Sequence, residues 1–339
     1  MLSGTLWPAH PHPLQDECLS SWLVRCAHAN GMKVQTFCDQ VFGKEYQVWY
    51  RDIDRNAPDW LLNIMSQKTG TPIKLVHHTT ARLYEKRLFP ILHPASQLRW
   101  FLPAKHHHRI NTGYGIQYCP ACLAADETPY FRLAWRLSLY TFCPKHRILM
   151  ADRCHKCGAP VAFHRAELGK PNILAGQLDH CWQCDAKLSN AATTEINLYP
   201  KRVNKLWSAL LKVIDQQFYP SGHIRYQNLT LLHQLCRLMS SHQSGKKLIQ
   251  HVCGKGGYLQ PNLSDQRTHF ELRDIQERHA ILQLAWWLMT HKRKLRTAIQ
   301  QKTIRINLLY RDLEPETKAH VLKWIESRSR THYRITINY

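Results

Sequence analysis

Residues 118–161 read YCPACLAADETPYFRLAWRLSLYTFCPKHRILMADRCHKCGAPV, and residues 181–184 add CWQC. Four close ligand pairs stand in this stretch: Cys119-Pro-Ala-Cys122, Cys143-Pro-Lys-His146, Cys154-His-Lys-Cys157 and Cys181-Trp-Gln-Cys184. Twenty residues separate the first two pairs and twenty-three the last two. A two-residue gap lets one tight turn place both donors of a pair on the same side of a metal, and two facing turns complete a tetrahedron of thiolate and imidazole. The spacing predicts a mixed site of three thiolates and one imidazole from Cys119, Cys122, Cys143 and His146, and an all-cysteine site from Cys154, Cys157, Cys181 and Cys184. Each would take one Zn2+ ion, two in all. Interleaved pairing, or exchange of a cysteine for His155, His164 or His180, stays open at this level. Because the protein fills all four positions, no place is left for a reactive water, and the ions are expected to be structural. Between the first two pairs, Tyr130, Phe131, Trp135, Tyr140 and Phe142 would supply the small core that a metal-bound turn lacks.

Outward from this centre the sequence turns helical. Leu19, Trp22, Leu23, Cys26 and Ala27 recur at i, i+3, i+4, i+7 and i+8, with Asp16 placed to cap the helix and Asn30-Gly31 to stop it. Val34, Phe37, Cys38, Val41 and Phe42 repeat the pattern up to Gly43. A third helix is expected from Asp59 to about Lys68, and a start signal at Thr71-Pro72 leads into Ile73, Leu75 and Val76. These short pairs suit a helix-turn-helix unit, used either to read DNA or to dock protein. Beyond Tyr199, Leu206, Trp207, Leu210, Leu211 and Ile214 predict one helix. Leu229, Leu232, Leu235, Cys236 and Met239 predict a second, and Ile281, Leu284, Ala285 and Leu288 a third. The predicted class is therefore mainly α. An N-terminal helix-turn-helix-like domain spans 1–90, a connector 91–115, a tandem zinc-ribbon or zinc-finger module 116–195, and a basic helical domain 196–339. The histidines of the HPHP start and of His106-His107-His108 are read as loop residues.

The formal net charge is +22, and residues 201–339 hold 24 Lys and Arg against 9 Asp and Glu. The expected partner is a polyanion, with nucleic acid first. Lys292, Arg293, Lys294 and Arg296, in a run that adds a positive end to a C-terminal helix, are candidate phosphate contacts, as are Lys302 and Arg305. The amino terminus lacks a leader pattern and no stretch reaches bilayer length, so a cytoplasmic protein without a membrane partner is expected. In that compartment thiols stay reduced, which favours metal over disulfides for the 12 cysteines. Gly254-Lys255-Gly256-Gly257 does not have phosphate-loop spacing. Asp52 and Asp54, and likewise Glu314 and Glu316, sit among turn signals and are read as surface carboxylates. No catalytic set is expected.

Three stretches resemble the TniQ/TnsD family of transposition proteins: DECLSSWLVRCAHANG (16–31), GTPIKLVHHTTARLYEKRLFP (70–90) and the zinc stretch quoted first. The likeness spans about residues 10–190. It is most specific where the ligand pairs combine with Trp135 and Cys143-Pro144-x-His146. The resemblance implies a non-catalytic adaptor, with a homodimer among the assemblies it allows, that helps select an insertion site and recruits a TnsC-like AAA+ ATPase. Targeting would run through a CRISPR effector complex with its guide RNA, or through direct contact with target DNA. Two rivals stand beside it: a sequence-specific DNA-binding protein, and a zinc-ribbon enzyme that processes nucleic acid.

Overall fold

The computed structural model describes residues 4–92, 98–107, 110–111, 113–170, 177–196, 201–215, 226–265 and 268–326. Among them the fold is mainly helical, with a single two-stranded hairpin. They fall into two compact units. One takes residues 1–85, 92–196 and 215–217, the other residues 86–91, 197–214 and 218–339.

The N-terminal unit opens with α1 (Leu19–Ala29) and α2 (Val34–Phe42). Leu19, Trp22, Leu23, Cys26 and Ala27 are all fully buried, as their helical spacing requires. Gly31, at φ 66°, makes the turn between the two helices, and Gly43 ends α2 at φ 81°. The cap differs from expectation. Cys18, not Asp16, is the residue before α1, and it makes no side-chain cap. The first-turn N–H of Ser20 instead donates to Oδ1 of Asp54 at 2.7 Å. Asp16 lies at φ 57° and accepts from the N–H of Ala134 at 3.1 Å, tying the helix entrance to the metal region. The first N–H of α2 is likewise satisfied from afar, by Oε1 of Glu167 at 2.6 Å.

Three more helices follow: α3 (Ile53–Asn56), α4 (Asp59–Thr69) and α5 (Ile73–His78). Gly70, left-handed at φ 67°, ends α4, and Pro72 precedes α5. The segment after them is woven into the unit rather than looped over it. Leu98, Trp100, Phe101, Leu102 and Ala104 are buried, and the N–H of Leu102 donates to the carbonyl of Arg136 at 2.8 Å. His106 and His107, expected in a loop, form β1 (His106–His107) and pair antiparallel with β2 (Ile110–Asn111), while His108 lies outside the described residues. The metal region then begins with α6 (Pro120–Ala125). It shares one core with the helices: Phe131 stacks on Phe163 at 4.5 Å, and the N–H of Cys18 donates to the carbonyl of Phe131 at 3.0 Å.

The C-terminal unit holds α7 (Lys201–Asp215), α8 (Tyr226–Met239), α9 (His242–Gly256), α10 (Ile275–Thr290), α11 (Lys292–Gln300), α12 (Ile306–Tyr310) and α13 (Pro315–Glu326). Leu229, Leu232, Leu235, Cys236 and Met239 of α8 and Ile281, Leu284, Ala285 and Leu288 of α10 are buried where these two helices pack together. Glycine at 245 permits the close approach of α9 to the end of α8, since a Cβ there would lie 2.4 Å from the carbonyl of Met239. Two expectations are corrected here. The basic run 291–296 does not extend α10, which ends at Thr290; it opens the separate helix α11, whose buried Leu295 and Ala298 set its face. Asp54 is not a surface carboxylate but 2% exposed, because a buried guanidinium needs it. No helix among the described residues is long and apolar enough to cross a membrane.

Candidate metal centres

The fold gathers the eight predicted ligands into two groups of four, in sequence order and not interleaved: Cys119, Cys122, Cys143 and His146, and Cys154, Cys157, Cys181 and Cys184. Within each group all donor atoms lie within 4.8 Å of one another. In the first, Sγ of Cys122 is 3.7 Å from Sγ of Cys143, and Nδ1 of His146 is 3.4, 3.3 and 3.5 Å from the sulfurs of Cys119, Cys122 and Cys143. In the second, Cys154–Cys184 and Cys157–Cys181 are each 3.6 Å, sulfur to sulfur. A tetrahedral ion with bonds of about 2.3 Å to sulfur separates its ligands by roughly 3.8 Å, and somewhat less for nitrogen. The donor chemistry and the spacing both fit such an ion.

Three of the four pairs are built on the same turn. Cys143, Cys154 and Cys181 each accept, at the carbonyl, from the N–H four residues on, Arg147, Gly158 and Asp185, at 2.8–2.9 Å. Each donates its own N–H to the carbonyl five residues on, Ile148, Ala159 and Ala186, at 2.8–2.9 Å. The residue just before that carbonyl has positive φ in every turn: 58° at Arg147, 72° at Gly158 and 60° at Asp185. That reversal curls the backbone N–H groups toward the first sulfur, as at His146 to Cys143, 3.5 Å, and Lys156 to Cys154, 3.4 Å. The remaining pair uses a helix start instead. Pro120 occupies the first helical position of α6, and Sγ of Cys119 accepts from the N–H of Cys122 at 3.4 Å. Glycine, and less strongly asparagine or aspartate, signals a left-handed turn in a sequence, so Arg147 carried no such signal.

Hydrogen bonds from the Cys119 and Cys122 thiols hold Cys143 down toward the thiolate, while the same contacts push Cys122 up. The N–H of Ala186 lowers Cys184 to about 7. Sulfurs this close carry negative charge readily only beside a positive ion, which releases the protons they still hold. The two groups differ in cover: Cys119, Cys122 and Cys143 are buried, while Cys157 is exposed and Cys184 half-buried. Of the rings expected to brace them, Phe131, Trp135, Tyr140 and Phe142 are buried and Tyr130 is partly so. The imidazoles weighed as substitutes lie outside both groups: His164 stacks on Trp49 at 4.5 Å, His180 pairs with Asp185 at 3.1 Å, and His155 belongs to neither set.

The six predicted phosphate contacts lie apart from these centres, in the C-terminal unit. Arg293, Lys294, Lys302 and Arg305 are exposed. Arg296 is turned inward, donating Nε to the carbonyl of Ile325 at 3.0 Å, and Nζ of Lys292 sits 5.4 Å from the Trp324 ring centre.

Fold and ligands together define a mainly helical protein with two four-ligand groups whose donors suit a metal ion. Residues 8–150 match the TniQ family model. No curated protein matches the chain. The matched span closes after His146 and before Cys154, so it contains the group with the histidine and not the all-cysteine group.

Proposed function

We propose that this chain is a non-catalytic targeting adaptor of DNA transposition, which links a selected insertion site to a TnsC-like AAA+ ATPase and through it to a transposase. The observation that carries the reading is the TniQ family match at residues 8–150 together with a complete set of three cysteines and one histidine gathered within that span. Both groups would hold Zn2+: thiolate-rich tetrahedral sets suit that ion, and a full protein shell gives it a structural part. Bound there, zinc would cross-link these turns and make the region stiff enough to dock a partner. The close carboxylates Asp52 and Asp54, which an enzyme reading would recruit, are both engaged by Arg136, and Asp54 is buried. The insertion site would be presented by a CRISPR effector complex with its guide RNA, or met as DNA directly.

The test is capture of the purified ATPase by the tagged full chain, paired with transposition counted in cells that lack the chain and regain it. Capture and restored transposition support the adaptor. Failure of both, or DNA cleavage with added magnesium that disappears on changing a single carboxylate, overturns it.

A further inference from the structure

The C-terminal unit carries an open groove of about 820 Å³ between the end of α8, the first turns of α9 and the segment 302–311. Among the described residues, five permanent cations line it, Arg237, Lys247, Lys302, Arg305 and Arg311, and no carboxylate does. Lys247, Lys302, Arg305 and Arg311 are exposed and have no carboxylate partner among the described residues. Arg237 is steadied from outside the groove by Asp312 at 2.8 Å. The start of α9 adds to the field. Ser241, at its N-cap, donates Oγ to the carbonyl of Leu238 and shares a hydroxyl contact with Ser244, and it makes no side-chain cap to the first backbone N–H groups of the helix. Cations gathered in a concavity repel one another, and they focus a positive potential that draws an anion.

The form of the groove narrows the choice of anion. Its charges run from α8 to residue 311 over a space far larger than one phosphate, which suits a polymer. The chain's own residues 327–339 cannot serve, since their side chains include Arg328, Arg330 and Arg334 and no carboxylate. Proteins that hold single strands stack bases on exposed aromatic rings. Among the described lining residues the one Phe, Tyr or Trp is Phe270, fully buried. Long basic side chains with serine and threonine hydroxyls beside them match a sugar–phosphate backbone and do not read bases.

We propose that this groove grips the phosphate backbone of duplex DNA, independent of sequence. The inference deepens the targeting role and rests on it, by giving the adaptor its own hold on the DNA where insertion occurs. Each phosphate neutralised releases condensed counterions, and log K falls with log salt at a slope of about −0.9 per contact.

The experiment measures binding of the full chain to a fluorescent random-sequence duplex across a salt series. The variant carries Lys302→Gln, Arg305→Gln and Arg311→Gln; the control removes equal charge elsewhere through Lys255→Gln, Lys318→Gln and Lys323→Gln. All six residues are exposed, and metal content and melting confirm that both variants fold. The groove variant is expected to lower the slope by about 2–3 and the control to leave it unchanged. Equal losses in both, no loss in either, or tighter binding of single-stranded DNA, RNA or inorganic phosphate than of duplex overturns the proposal. Capture of the ATPase, read on the same samples, separates the two claims. Lost slope with capture intact supports the groove, whereas intact capture with an unaltered slope leaves the adaptor standing and removes the groove.

Discussion

Arg136 donates from Nη1 to Oδ2 of Asp54 at 2.7 Å, and each side chain is 2% exposed. The other donors of the guanidinium are used as fully. Nη1 and Nη2 grip Asp52 at 3.0 and 2.6 Å, Nη2 reaches the carbonyl of Leu102 at 3.0 Å, and Nε that of Gly115 at 2.8 Å. Asp54 in turn accepts from both the N–H and the hydroxyl of Ser20, at 2.7 and 2.8 Å. Burial pushes the Asp54 carboxyl up against the pull of Arg136, whose own burial is more than offset by Asp52 and Asp54. One arginine thus joins α1, α3 and the buried segment before the metal region.

Removing a partner from such a cluster leaves a buried charge uncompensated, which typically costs about 3–5 kcal/mol. Arg136→Met is expected to destabilise the protein by that amount. Arg136→Lys should be nearly as harmful, because an ammonium cannot reach so many diverging acceptors at once. Asp59→Ala breaks the Arg82–Asp59 pair, whose carboxylate is 74% exposed, and should cost less than about 1 kcal/mol. Denaturant melts of the metal-loaded protein compare the three, and similar losses at both sites would refute this ranking.

What the sequence revealed follows from how far apart the interacting residues lie. The face of α1 was legible because its apolar residues share a local period, and the ligand pairs because a metal dictates a two-residue gap. The satisfaction of its first turn by Asp54 was hidden, since it depends on a residue 34 positions away. The same distance effect disguised Asp52 and Asp54 as surface groups. Helix α9 escaped notice because Gly245, Gly254 and Gly256 thin its pattern, although Gly245 is there for a contact with α8. The groove mixes Lys302 and Arg305, visible as basic residues, with Arg237, Lys247 and Arg311, which nothing local connected to them.

The two metal centres should separate in stoichiometry and in rate. Wild-type protein is expected to hold two ions, and Cys122→Ser or Cys157→Ser one each, by elemental analysis. A strong chelator should remove metal in two phases, with the ion of the all-cysteine centre leaving first through the exposed Cys157. Cys157→Ser should abolish the fast phase and Cys122→Ser the slow one. Cys122→Ser should also unfold the N-terminal unit at milder conditions, because that group belongs to the core shared with α1. A single release phase in the wild type would contradict the difference in cover.

Acid should weaken the C-terminal unit through His279. Its ring stacks on Trp207 at 5.3 Å, and burial lowers it from 6.5 to about 4. Below the ordinary histidine value of about 6.5 the unfolded chain binds a proton that the folded chain refuses, so stability falls as pH drops from about 6.5 to 4 and levels off beneath. The full difference is about 3 kcal/mol. His279→Gln should remove this part of the pH dependence, measured as denaturation midpoints between about pH 4 and 7. Parallel curves for variant and wild type would rule the residue out.

The basic run that opens α11 should divide by position rather than act as one charged patch. Arg296 and Lys292 face α13: the guanidinium donates both Nε and Nη2 to the carbonyl of Ile325, and the ammonium lies over Trp324. Arg293 and Lys294 point to solvent. A hydrogen bond from a charged donor is worth about 1.5–3 kcal/mol, so Arg296→Ala is expected to destabilise the unit by roughly that much. Arg293→Ala and Lys294→Ala should stay within about 0.5 kcal/mol of wild type. The fourfold replacement of Lys292, Arg293, Lys294 and Arg296 would therefore lose DNA affinity through damaged packing, even if none of the four met a phosphate. Melting each single variant before any binding assay distinguishes the cases, and an Arg296→Ala protein as stable as wild type would overturn the packing role given to that residue.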